Sequence, residues 1–303
     1  MQINMQQTLF NVPSVRRADY AIYHDESGAD VAHDRFLLQG ALFVPISRWQ
    51  SLLDDLELAR DGYTGRIHFV DLRDKTSSKK GLAAWNWINK YFTDWSLQCP
   101  YKCQLADRYS SHEQITRHQT KHGLYNYTTV LAIHGGIAWS LTRFQEIRIS
   151  IYSEETSRSA EDNFKSYVPA QLAIKLNRSR KPGSKSPRLV EPVPQIICVP
   201  GNPERTSSDQ RGHCEFIQLV DLLTGAVNQA VNANASQEIK IDIGEFVAGW
   251  IHDTRRPPWT QSLDLHRRFS VSCFPSRNGG FFEVPLHISQ RHQESLFSFS
   301  TNT

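Results

Sequence analysis

Residues 18–28 read ADYAIYHDESG, and residues 35–44 read RFLLQGALFV. The first stretch is β-prone from Tyr20 to His24 and stops at Asp25-Glu26, followed by Ser27-Gly28. The second is apolar and is closed by Pro45. A short polar segment with a glycine separates them, so the two runs predict an antiparallel hairpin. Asp, Ser and Gly are turn residues, and the turn suits a plain hairpin entry. It also puts two carboxylates at a sheet rim, where magnesium takes one or two carboxylates with waters and phosphate oxygens.

Outward from the hairpin, strands and helices alternate. Ser47 caps an expected helix, SRWQSLLDDLELARDG, with Trp49, Leu52, Leu53 and Leu56 at helical spacing. RIHFVDL (66–72) predicts a short strand, 79–95 a helix, 97–107 a strand and 119–141 a long helix. EIRISIYSEE (146–155) has the clearest alternation: Ile147, Ile149 and Ile151 share a face, and the strand ends in Ser153-Glu154-Glu155. Helices are expected at 160–177, 213–232 and 243–252, with a buried strand at 195–200. Strands and helices are intermixed behind a hairpin, which predicts an α/β fold with a mixed sheet. The expected organisation is a tail (1–17), one domain (18–284) with a basic loop at 177–188, and a C-terminal tail (285–303).

Of the 303 residues, 39% are hydrophobic, enough for a sizeable core. The net charge of +3 permits nucleic-acid binding without arguing for it. Five cysteines, an odd number in a long chain, argue against a disulfide framework. There is no secretory signal and no run near the roughly 20 apolar residues of a membrane span, so the expectation is cytoplasmic.

Gln218 and Asp221 stand in the apolar run FIQLVDLLTGAV (216–227), and with Gly225 they fall on one side of a helix. An unpaired buried carboxylate is costly, so these residues need partners, and Gly225 leaves room for something to approach. A strand-end acid at Asp25, a mid-chain acid among Glu154 and Glu155, and Asp221 could converge on a pair of divalent ions. That is the logic of two-metal phosphodiester hydrolysis.

YHDESG (23–28), IHFVDL (67–72) and FIQLVDLLTGAV (216–227) give the chain a pattern that resembles the bacterial family "domain of unknown function 3800". The resemblance implies an RNase H-like mixed central sheet flanked by helices, and links to mobile elements and phage defence. Asp25 and Asp221 match the family's most characteristic acids, and Gln218 and His68 match other typical positions. Arg66 stands where family members often have Glu. Where members end the mid-chain strand in Asp, this chain offers Ser153, Glu154 or Glu155.

The expectation is therefore a metal-dependent nuclease or nuclease-like phosphodiesterase. Asp25, Glu154 and Asp221 would hold Mg2+ or Mn2+, and Glu26, Gln218 and His68 would orient water or substrate. Arg178, Arg180, Lys181, Lys185 and Arg188 would neutralise phosphates. Arg267-Arg268 beside Phe269 could add charge and stacking. The alternative is a non-catalytic RNase H-like module that binds nucleic acid or a partner protein of a defence system. His118 and His122 have a zinc-compatible i, i+4 spacing but no flanking motif.

Overall fold

The opening hairpin forms as the sequence predicts. The computed structural model describes residues 15–27, 34–73, 75–96, 98–118, 122–155, 162–178, 186–253 and 267–275. In it, β1 (Arg17–Ser27) runs antiparallel to β2 (Phe36–Pro45), with Asp25 opposite Gly40. Then come α1 (Trp49–Ala59), α2 (Lys79–Lys90), β3 (Tyr101–Asp107), α3 (Glu113–Arg117), α4 (Gly123–Ser140) and β4 (Glu146–Glu154). α5 (Phe164–Arg178), β5 (Arg188–Leu189), β6 (Ile196–Val199), α6 (Arg211–Asn232), α7 (Glu238–Asp253) and β7 (Phe269–Phe274) complete the described elements.

The strands form one sheet in the order β5-β4-β1-β2-β3-β7, with β6 also paired to β4. β1, β2 and β3 make an antiparallel meander. β4 runs parallel to β1, β5 and β6 parallel to β4, and β7 parallel to β3. This is an α/β, RNase H-like mixed sheet flanked by helices.

Alternation along the strands divides the core in two. Ala21, Tyr23, Leu38 and Leu42 pack under α1, α2, α6 and α7. Tyr20, Ile22, Phe43, Ile147, Ile149 and Ile151 pack under α4 and α5. A strand covered on both faces has no solvent side, which is why β2 reads as an unbroken apolar run. Gly40 sets the depth of α6: a Cβ there would collide with the Thr224 hydroxyl. Its absence lets α6 settle onto the sheet beside Asp25.

Several expectations fail: Ser47 does not cap α1, whose N-cap is Arg48 without a side-chain cap, and the strand expected to be buried at 195–200 leaves Ile197 exposed. Residues 66–72 are not a strand. The Ile67 N–H donates to Gln218 Oε1 (2.6 Å) and the Phe69 N–H to Asp221 Oδ2 (2.6 Å), so side chains of α6 take the donors that a ladder would use. Phe69–Asp71 then closes as a 3-10 turn capped by His68. Conversely, β7 is a strand where the sequence pattern predicts none. The N-terminal boundary also shifts slightly, because Arg17 already pairs with Glu146 as part of β1. Residues 1–14, 179–185 and 276–303 lie outside the described residues, and with them most of the basic loop and both tails. No helix among the described residues is long and apolar enough to cross a membrane.

Candidate functional site

Parallel pairing of β1 and β4 sets His24 opposite Ser153. Alternation then puts Asp25 and Glu154 at neighbouring strand ends on the α6 face, and His24 and Ser153 on the other face, where they contact each other (3.3 Å). Glu154 is thus the mid-chain acid on Asp25's side, while Glu155 is exposed. Glu26 follows the opposite alternation and accepts a hydrogen bond from the Tyr125 hydroxyl of α4 (2.6 Å).

α6 brings Asp221 over this rim. Its Oδ2 accepts the Phe69 N–H, and its Oδ1 lies 3.2 Å from His68 Nε2. His68 Nδ1 accepts from the Val70 N–H (3.2 Å), so the ring proton of neutral His68 sits on Nε2 and points at Asp221. The same Nε2 lies 4.0 Å from Glu154 Oε2. Burial, then the Arg66 charge, lowers the His68 pKa to about 4, so the ring is neutral at pH 7. Arg66 holds Glu154 by an ion pair of 2.9 Å.

The acids strain one another. Burial first, then the charges of Asp221, Glu26 and Glu154, push the Asp25 carboxyl well above the usual carboxylate range. Burial likewise raises Asp221, against the pull of the Phe69 N–H. Glu154 is raised by burial and lowered by Arg66. Asp25 is only 5% exposed, and its Oδ2 has no hydrogen-bond partner.

The face of α6 that carries Asp221 is a clamp on the segment 60–70. Glu215 forms a buried ion pair with Arg60 (2.6 Å), whose guanidinium also donates to the Tyr63 and Gly65 carbonyls. Gln218 takes the Ile67 N–H, and Asp221 the Phe69 N–H. Gly225 makes room for the Phe69 ring, which a Cβ would strike. Gln218 also donates to Cys214 O (3.4 Å), so both ends of its amide are committed to structure. Reading by sequence missed Arg60 and Glu215. The signal was present, since Glu215 sits three residues before Gln218 and extends the same polar stripe.

Other candidates disperse. Arg188 Nε lies 3.5 Å from Glu146. Arg178 (side chain), Arg180, Lys181 and Lys185 lie outside the described residues. Phe269 is 1% exposed in the core, so it offers no ring for stacking a base. His118 stacks on Tyr127 and His122 faces Asp162, so the two do not share a site.

Among the described residues, no three His, Cys, Asp or Glu side chains converge as a ready-made ion site. What fits a hard cation is narrower. Asp25 brings a buried oxygen without a partner, and Asp221 brings lone pairs beyond the two contacts it makes. Magnesium needs no more protein than two carboxylates.

Fold and site together define an α/β protein with a mixed seven-stranded sheet and a buried acidic pair at its rim. No family model matches the sequence, and no curated protein matches it. Among solved structures, the chain is similar to a chain of the PCNA:RNase HII complex from Archaeoglobus fulgidus. Identity is 10% and the TM-score 0.34, over 79% of this chain and 91% of that one. So loose a likeness says nothing about activity.

Proposed function

We propose that this protein is a divalent-cation-dependent phosphodiester hydrolase acting on nucleic acid, with Asp25 and Asp221 holding the cation and Glu154 beside them. One observation carries the reading: a buried Asp25 oxygen without a partner, next to two further acids. Clustered buried acids cost stability unless something positive joins them. A bound Mg2+ or Mn2+ would supply an activated water and stabilisation of the leaving oxygen.

The chain's own residues have defined tasks in this reading. His68 fixes the orientation of Asp221 through its Nε2 proton. Arg66 neutralises Glu154. Lys240 and Lys80, held by the Val70 carbonyl (2.9 Å) and the Asp71 carbonyl (3.3 Å), add positive charge for a phosphate. The basic stretch 177–188 would neutralise phosphates away from the acids, since its Arg188 pairs with Glu146 at the far end of β4 from Glu154.

The test is cleavage of labelled single-stranded, duplex and hybrid nucleic acids in Mn2+. Wild type should cut at least one, and Asp25→Asn should lose at least a hundredfold while keeping its fold. Cleavage by Asp25→Asn at the wild-type rate sinks the reading. One observation favours a second reading, a non-catalytic nucleic-acid or protein-binding module: Arg66 occupies Glu154, which leaves Asp25 and Asp221, rather than three acids, for a cation. Binding without cleavage in any divalent metal would establish it.

A further inference from the structure

A cavity of about 760 Å³ opens at the far end of β1 from Asp25, lined by Arg17, Asp19, Arg48, Arg143, Phe144 and Arg148 among others. Asp19 and Asp25 are six steps apart along β1, about 20 Å at roughly 3.3 Å per strand residue. The two sites are therefore separate.

Its charge is one-sided. Four arginines face one aspartate in the lining, a balance of +3, and Glu146 beside the cavity reduces this to +2. The β1–β4 register explains which cations are already satisfied. Arg17 pairs with Glu146, and Arg148 lies opposite Asp19 at 3.7 Å. Arg48 and Arg143 have no carboxylate partner among the described residues, and both are exposed. Arg143 is held over the Phe144 ring at 4.8 Å, which orients its planar guanidinium. Arg48 is the N-cap of α1, which has no side-chain cap and no acid in its first turn, so its dipole adds to the positive field.

Guanidiniums gathered without counter-charge favour an anion, and their planar fork suits the paired oxygens of a phosphate. The volume falls within the roughly 300–1,000 Å³ of small-molecule sites. We propose that this cavity binds a phosphate-bearing ligand of nucleotide size, with Arg48 and Arg143 as its anion contacts. The proposal does not rest on the carboxylate site.

The experiment is calorimetric titration of the full chain in EDTA, which removes cation-bridged binding at the acids. The probes are inorganic pyrophosphate, ATP and a 5′-phosphorylated oligonucleotide. At least one should bind wild type and Asp25→Asn equally, and bind Arg48→Ser/Arg143→Ser at least tenfold more weakly. Binding of ATP or pyrophosphate points to a free phosphorylated ligand; binding of the oligonucleotide alone points to a nucleic-acid end. Circular dichroism checks the fold of the double variant, and Arg143→Ser alone serves if that variant unfolds. The proposal is overturned if no probe binds, if the arginine variants bind like wild type, or if Asp25→Asn abolishes binding.

Discussion

Asp25 holds its proton to a higher pH in the folded chain than in the unfolded one. Below the unfolded value of about 4, both states are protonated and the residue is neutral in the balance. As pH rises, the unfolded chain releases the proton and the folded chain keeps it. Wild-type stability therefore falls, by up to about 1.4 kcal/mol per pH unit, until the folded carboxyl ionises. Asparagine does not titrate. Without divalent ions, Asp25→Asn should gain on wild type as pH rises above about 4, as urea denaturation would measure; a constant difference would mean that the carboxyl is not strained. Arg66 allows a second prediction. Its ion pair occupies Glu154, so Arg66→Gln should release that acid to the cation. Titration with Mn2+ should then show tighter binding than in wild type, and weaker binding would make Arg66 part of the site's support.

The clamp belongs to helix α6 as an element. Glu215→Ala leaves the Arg60 guanidinium buried without its partner, which costs about 3–5 kcal/mol. Replacing both by apolar residues, Arg60→Met with Glu215→Leu, should recover most of that loss in chemical denaturation. A double variant as unstable as the single one would show that the Tyr63 and Gly65 carbonyls are what Arg60 serves. This element also explains how far the sequence could be read. β1 and β4 were legible because their alternation, Tyr20 to Asp25 and Ile147 to Ile151, is a local property of the strand. Asp221 was legible as an acid in an apolar helix that needed a partner. Residues 66–72 misled because their apolar pattern suits a strand, while what decides their conformation is Gln218 and Asp221, some 150 positions away. β7 was missed because FSVSCF is a partly exposed strand whose only ladder partner among the described residues is β3.

At the scale of the molecule, the acids cluster at one end of the parallel strands, with Arg66, Lys80 and Lys240 around them, and the arginine cavity sits at the other. Mn2+ should raise the melting temperature of the whole protein. A hundredfold excess over Kd corresponds to about 2.7 kcal/mol, which is several degrees for a chain of this size. The rise should vanish in Asp221→Asn; an unchanged rise would place the ion elsewhere. The parallel pairing of β4 with β1 and the seating of α6 on Gly40 also order events in time. Asp25 waits for Glu154 and then for a helix that ends at Asn232. At about 5–20 residues per second, the 207 residues from 25 to 232 take roughly 10–40 s to synthesise. A ribosome-bound chain thus holds its acids apart until residue 232 has been made, and a cell making this protein meets the assembled site only after those seconds of synthesis.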